Sequence, residues 1–300
     1  MNVEPSGQAC GATVTGVDLT QPLSKDEASA IRSAWLTHHV LAFPEQPMTD
    51  DDLESFSLCF GQFGDDPFIA PIEGREHVIA VCRDANETAP LFAETWHSDW
   101  SFQSTPPSGT CLFGITIPPI GGDTWFADQH IALKLLPADL RAKLEGKQAI
   151  HSAAGAYAPD GFYGEEDKIS DRSMNILPSD EARETHLHPI IRKHPETGEE
   201  GLFSCLGYIV GIEGLEQEEA VGLLREIYQY QGHEKTIYKH KWQKNMLVMW
   251  DNRSVLHRAT GGYEGHDRLL HRTKRKSSQQ CSPTYFNNLN INKWGFGVLG

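Results

Sequence analysis

His97 and Asp99 stand two positions apart in Trp-His-Ser-Asp-Trp, residues 96–100, and offer an imidazole and a carboxylate to one point in space. The segment reads as a strand, Trp96 to Phe102, in which side chains two apart share a face, so both groups can aim at one metal ion while Ser98 points away. Alone, the pair is weak, because a packed histidine beside a turn aspartate has the same look. A second stretch, WDNRSVLHRATGGYEGHDRLLHRT at 250–273, raises its weight. Here His257 follows a buried-looking strand and turn, and Arg268 and Arg272 lie four apart on the next strand, sharing a face. Two histidines and one carboxylate leave three adjacent coordination positions open. That suits non-haem iron(II), which takes a chelating co-substrate and then oxygen. Structural zinc sites are closed, although a zinc hydrolase can be built on the same triad.

The elements that must position these residues are mostly short strands. Val40–Phe43, His77–Cys82, Thr110–Ile117, Asp123–Phe126, Gln148–Ser152, Leu187–Lys193, Gly201–Cys205, Thr236–Trp242, Met246–Trp250, Val255–Ala259 and Leu269–Lys274 are β-rich and separated by turn residues. Ser24 followed by Glu27 predicts a capped helix over 25–38, and Thr49 before three aspartates predicts a second helix start. Helical inserts are expected at about 129–145 and 215–230. Many short strands without a βαβ rhythm predict a mainly β protein, a jelly roll decorated by helices. The polar stretch 155–184, with Glu165, Glu166 and Asp167, is too long for a simple connection and reads as a lid insertion. The tail from Ser277 is polar and then apolar from Trp294 to Leu299, which suggests docking on its own domain or a contact in a homo-oligomer.

Composition narrows the function classes. A chain of 300 residues with 39% hydrophobic and 22% charged residues is an ordinary globular protein, read as one domain. A net charge of -15 argues against a nucleic-acid partner, so an anionic substrate must be gathered by a few local arginines. Six cysteines without a C-x-x-C read as buried free thiols. No apolar run is long enough for a membrane span, and no signal segment opens the chain, so a cytoplasmic location is expected.

Together these motifs resemble the taurine dioxygenase / 2,4-dichlorophenoxyacetate dioxygenase family of 2-oxoglutarate-dependent oxygenases. The resemblance runs through GATVTGVDL (11–19), LAFPEQ (41–46), WHSDWSF (96–102), PPIGGDTWF (118–126), HPIIRKHPETGEEGLF (188–203) and the 250–273 stretch. It implies a double-stranded β-helix core over 1–276, with the tail 277–300 outside it. It implies Fe(2+) held by His97, Asp99 and His257, 2-oxoglutarate held at its far carboxylate by Thr124 and Arg268, and O2 as oxidant. An arginine is the sensible partner there, because its planar fork grips a carboxylate in a charge-assisted, bidentate way. Arg272 matches the residue that faces the acidic head of the substrate, and Trp100 occupies a pocket position suited to an aromatic body. The implied reaction hydroxylates a small or medium organic acid such as an aryloxyalkanoate, a sulfonate or a sulfate ester, releasing succinate and CO2, and cleaves it where the carbon lies beside a heteroatom. Desaturation by the same cofactors is an alternative, and a silent acid-binding jelly roll is a remote one. The presence of Asp99 favours hydroxylation over halogenation, since related halogenases carry a small residue there.

The chain departs from taurine-using members at Asp66, Ile69 and Ala93, which argues against taurine itself. The segments at 65–81 and 83–89 lean toward the branch acting on aryloxyalkanoates. Among the other histidines, His186 and His188 form an H-x-H that could suggest a second metal but reads better as structural. His151 lies near the lid and could reach the pocket. His271 alternates away from the two arginines and should face the other side of the sheet.

Overall fold

Two capping boxes start the helices that brace the outside of the main sheet. In a computed structural model, which describes residues 1–276 except 165, 166, 168, 169 and 204, α1 (Lys25–His38) is capped by Ser24 and Glu27, and α2 (Asp50–Leu58) by Thr49 and Asp52. Each box satisfies backbone donors that the first turn leaves free, a contribution of about 1 kcal/mol. Both helices press Ile31, Trp35, Leu53 and Phe56 onto one core.

The main sheet has seven strands: β1 (Asn2–Pro5), β2 (Ala12–Thr15), β3 (Val40–Phe43), β4 (Ile79–Arg83), β5 (Gly109–Thr116), β13 (Leu247–Asp251) and β15 (Arg268–Arg275). Their order is β1-β2-β3-β13-β5-β15-β4. Strand β13 is central and buried at every residue, hence the apolar run Leu247–Trp250 in place of alternation. Facing this sheet lies a smaller one, β12 (Ile237–His240), β6 (Thr124–Asp128) and β14 (Val255–Ala259), in the order β12-β6-β14. Phe126, Trp250, Val248 and Leu270 fill the space between them. This is the mainly β, jelly-roll architecture that the strand pattern predicts.

Several details differ from the sequence reading. The insert at 129–145 is two helices, α3 (Gln129–Leu135) and α4 (Ala138–Leu144), because Pro137 forces Leu136 into an extended conformation. The expected strand Leu187–Lys193 is two strands, β8 (Thr185–Pro189) and β9 (Ile191–Lys193). They part at Ile190, whose N–H bonds Lys147 while its carbonyl accepts from Phe203. A strand not foreseen, β11 (Ile209–Ile212), pairs with β7 (Gln148–Ser152) to give the order β11-β7-β8. The remaining helix α6 (Gln217–Gln231) packs against α3.

The 155–184 segment is partly ordered by its own contacts. Helix α5 (Ala154–Tyr157) opens it, a 3-10 turn at Asp180–Arg183 closes it, and Arg172 pairs with Asp167 at 2.6 Å. The acidic pair Glu165 and Glu166, and the tail 277–300, lie outside the described residues.

Candidate metal centre

His97 and His257 are set opposite each other by a single antiparallel bridge. The N–H of His97 donates to the carbonyl of His257 at 3.0 Å, and the N–H of His257 returns the bond at 2.8 Å. His257 ends up on β14, but the segment around His97 is not the expected strand. Beyond the bridge the chain turns, with the Gln103 N–H on the Trp100 carbonyl at 3.0 Å and Trp100 in the left-handed region at φ 43. A bulky residue in that region costs about 1–2 kcal/mol. Three histidines hold the turn that follows: His151 Nδ1 meets Ser101 Oγ at 3.1 Å, His186 the Phe102 carbonyl and His188 the Gln103 carbonyl, both at 2.9 Å. His151 is wholly buried in this task and lines neither cavity described below. His186 and His188 thus serve the backbone, and among the described residues they belong to no metal-binding cluster.

The ligand atoms offered by His97, Asp99 and His257 all lie within 4.8 Å of one another, and all three residues are buried. His97 Nδ1 is committed to the Thr95 carbonyl at 2.8 Å, which leaves Nε2 free. The His257 ring is oriented by packing, between Trp250 at 4.7 Å and Phe126 at 6.2 Å. Burial depresses the pKa of both histidines, so they are neutral ligands near pH 7. Burial works against the charge of Asp99, yet Lys274 and Arg272, with the histidines, hold its carboxyl well below the usual range. The Thr110 hydroxyl donates to Asp99 Oδ2 at 2.6 Å, and Asn252 Nδ2 donates to that hydroxyl at 2.9 Å. The Asn252 amide oxygen in turn accepts from Trp250 Nε1 at 2.9 Å. This chain fixes every donor direction and leaves Asp99 Oδ1 facing His257 Nε2 at 4.0 Å. Two neutral imidazoles and one anion on open geometry fit a ferrous ion.

Two cavities meet at the triad. The first includes Thr124, Arg268, Tyr263 and Leu112 in its lining. Its glycine turn is shaped by necessity: Gly121 and Gly122 sit at φ 63 and 68, and a Cβ on Gly121 would lie 2.4 Å from the Gly262 carbonyl. A Cβ on Gly122 would meet Arg268 Nε at 3.3 Å, so the turn lies against that guanidinium, and Thr124 and Arg268 line the same cavity. Arg268 is buried, its Nε has no partner, and NH2 makes only a long bond of 3.4 Å to the Gly122 carbonyl. Among the described residues no carboxylate pairs with it. Thr124 Oγ1 accepts from Trp242 Nε1 at 2.9 Å, so its hydroxyl proton is free to be donated elsewhere.

The second cavity is walled by Phe92, Trp100, Tyr157, Tyr163 and Tyr208, with Arg272 and Asp99 also in its lining. The polar stretch 155–184 thus contributes two of its aromatic rings. Strand β15 turns Arg268, Arg272 and Lys274 inward, whereas His271 faces α2 and bonds Asp50 at 2.6 Å, as the alternation predicts. Arg272 does not stand open. Its NH2 donates to Asp66 Oδ1 at 2.9 Å, and NH1 lies 3.5 Å from Asp99. Lys274, fully buried, reaches the same Asp66 oxygen at 2.6 Å and lies 3.4 Å from the centre of the Trp100 ring. Burial, with Arg272 beside it, brings the lysine down to about 7. The sequence marked Asp66 as a departure but left it without a partner, and Lys274, Thr110 and Asn252 carried no motif of their own.

A family model described as Taurine catabolism dioxygenase TauD, TfdA family matches residues 2–274. The chain belongs to this family. As a TauD/TfdA member it is a non-haem iron dioxygenase that uses Fe(2+), 2-oxoglutarate as co-substrate and O2. A similar relative is the alpha-ketoglutarate-dependent 2,4-dichlorophenoxyacetate dioxygenase of Cupriavidus pinatubonensis, 33% identical over 263 residues, or 82% of this chain and 88% of the relative. The alpha-ketoglutarate-dependent sulfate ester dioxygenase of Pseudomonas putida is 28% identical, covering 91% of this chain and 88% of its own length. Among solved structures, a taurine dioxygenase from Burkholderia xenovorans superposes with a TM-score of 0.75 at 29% identity, over 92% of this chain and 91% of that one. The AAD-2 structure with Mn(II) and N-oxalylglycine gives 0.72 at 26% identity, over 93% and 98%. No helix among the described residues is long and apolar enough to cross a membrane.

Proposed function

We propose that His97, Asp99 and His257 hold the iron, that Thr124 and Arg268 hold the far carboxylate of 2-oxoglutarate, and that an aryl-bodied organic acid, such as an aryloxyalkanoate, is oxidised in the second cavity. The observation that carries this reading is Arg268, a buried guanidinium with no carboxylate of its own beside an available hydroxyl. A buried charge needs a partner, and a co-substrate dianion supplies one. When bound, the iron and 2-oxoglutarate supply an oxidant for a C–H bond and give succinate and CO2 as co-products.

The chain's own residues do the rest. The Thr110 hydroxyl and the Thr95 carbonyl aim Asp99 and His97, while Trp100, Tyr157, Tyr163 and Tyr208 enclose the organic body and exclude water. Arg272 and Trp100 border the substrate, with Arg272 toward its acidic head. Hydroxylation of the carbon beside an ether oxygen gives a hemiacetal, which collapses to a phenol and an oxo acid. The Cupriavidus relative is a 2,4-dichlorophenoxyacetate dioxygenase, and the aromatic wall supports aryloxyalkanoate chemistry here. A cytoplasmic location and an extent of 1–276 for a single oxygenase domain belong to the same proposal, as does an oligomer contact by the tail.

Reconstitution with iron(II), ascorbate and 2-oxoglutarate across aryloxyacetates, alkyl sulfonates and alkyl sulfate esters tests it. An aryloxyacetate should give succinate and phenol in equal amounts. No succinate from any acid, with Asp99→Ala matching the wild type, would sink the reading. Arg268→Met should raise the KM for 2-oxoglutarate about a hundredfold, roughly 2.7 kcal/mol, by removing one half of a buried charge pair. Iron content should stay unchanged in that variant, since Arg268 has no contact with the triad.

A further inference from the structure

Asp66 sets a carboxylate against Arg272 and Trp100, two residues that line the second cavity, without lining it itself. One carboxylate oxygen accepts from Arg272 NH2 at 2.9 Å, from Lys274 Nζ at 2.6 Å and from Trp100 Nε1 at 2.9 Å. Arg272 therefore meets Asp66 at one terminal nitrogen and Asp99, 3.5 Å away, at the other. Only Nε remains without a partner, so the two-pronged grip by which arginine usually distinguishes a carboxylate is already half spent. The anchoring of Asp66 is secure: Lys274 is wholly buried, sits against the Trp100 ring and, among the described residues, forms an ion pair with no other carboxylate. A substrate acid approaching Arg272 meets the repulsion of Asp66 as well as the attraction of the guanidinium. The walls of the same cavity are aromatic, and they offer their contact to any aryl body whatever its charge.

We propose that Asp66 is a built-in counter-ion that sets substrate selection: it weakens the headgroup contribution of Arg272, so that the pocket chooses aryl-bodied compounds by their ring and rejects small alkyl acids. The proposal rests on the reading of the second cavity as the substrate site. It also assigns a consequence to Asp66, one of the three positions at which the sequence departs from the pattern of taurine-using members. Trp100 joins the two parts of the device, since its indole is both a wall of the cavity and a donor to Asp66.

Binding separates this from the reaction. The full chain loaded with Mn(II) and N-oxalylglycine, which does not turn over, is titrated calorimetrically with phenoxyacetate, its neutral amide phenoxyacetamide and ethanesulfonate. In the wild type, phenoxyacetate should bind within about tenfold of the amide and at least about tenfold tighter than ethanesulfonate, about 1.4 kcal/mol. Asp66→Asn should tighten both acids about tenfold or more and shift the amide less than about twofold. A wild-type preference for acid over amide beyond about a hundredfold, or ethanesulfonate bound as tightly as phenoxyacetate, overturns the proposal. So does an Asp66→Asn variant whose affinity for acids is unchanged or lower. Should that variant not fold, with Lys274 left unpaired, the wild-type ratios decide by themselves. If wild-type enzyme oxidises phenoxyacetate but these ratios fail, only the role of Asp66 falls. If it neither binds nor oxidises any of the three, the substrate reading falls with it.

Discussion

Asp99→Ala is expected to cut substrate-dependent succinate formation by at least about a thousandfold, roughly 4 kcal/mol of lost transition-state stabilisation. The carboxylate is the one anionic group in the triad, and the rest of the site is built around its charge. Lys274 and Arg272 hold it ionised despite complete burial. Removing it leaves two neutral imidazoles facing a pair of buried cations, a poor environment for a divalent ion. Iron content and succinate release, measured together after anaerobic loading, check the outcome; a variant that keeps full iron and full activity would remove Asp99 from the site. Thr110→Val keeps the side-chain volume and deletes the hydroxyl between Asn252 and Asp99. It should cost about tenfold to a hundredfold, the usual penalty for losing a hydrogen bond that orients a ligand.

The second large effect is on stability. Asp251→Asn should lower unfolding free energy by about 3–5 kcal/mol, because it breaks a buried ion pair on one side only. Asp251 is fully buried at the end of β13, where Oδ1 accepts from the Arg253 backbone N–H and Nε, both at 2.8 Å. Oδ2 takes Arg253 NH2 at 2.7 Å and His194 Nε2 at 3.0 Å. Burial opposes its charge, but Arg253 and His194 outweigh that and depress the carboxyl below its ordinary value of 3.8. The sign follows from linkage: a depressed folded pKa contributes stability above the unfolded value, near 3.9, and loses it as pH falls toward the folded value. Wild-type protein should therefore lose this contribution progressively below about pH 4, while Asp251→Asn shows a flatter profile over that window. Urea unfolding at pH 7 and at stepped acid pH measures both. Equal slopes in the two proteins would show that Asp251 carries no such linkage.

Both residues illustrate what is legible in a single chain. The helix starts at Ser24 and Thr49 follow from hydrogen bonding within four residues, and the strand β14 over Val255–Ala259 from a local apolar pattern. The inward face of β15 follows from its two-residue period. Such features are short-range, so the sequence carries them directly. The triad is readable for a related reason: metal chemistry restricts the residue types, and few sets of histidine and carboxylate in the chain satisfy it.

The backbone around His97 shows the limit. The sequence at 96–102 has strand-like composition, yet it makes one bridge and turns, because three histidines from β7 and β8 capture its carbonyls and its serine hydroxyl. His97 and Asp99 still converge, but through the turn and not through strand alternation. Long-range partners decide such a segment, and they lie 50 or more residues away.

By itself the sequence showed the His-Asp-His donor set, the inward arginines of β15 and the layered β architecture, since each depends on residue type or on a period of two. Tertiary structure alone decided which charges meet. Arg272 reads from the sequence as an open receptor for an acid, and only the fold brings Asp66, 206 positions away, onto its guanidinium, with Lys274 on the same oxygen. Electrostatic energy falls with distance in space and is indifferent to distance along the chain. The donor residues were therefore legible in the chain, while the meeting of Arg272 and Lys274 on Asp66 forms only on folding.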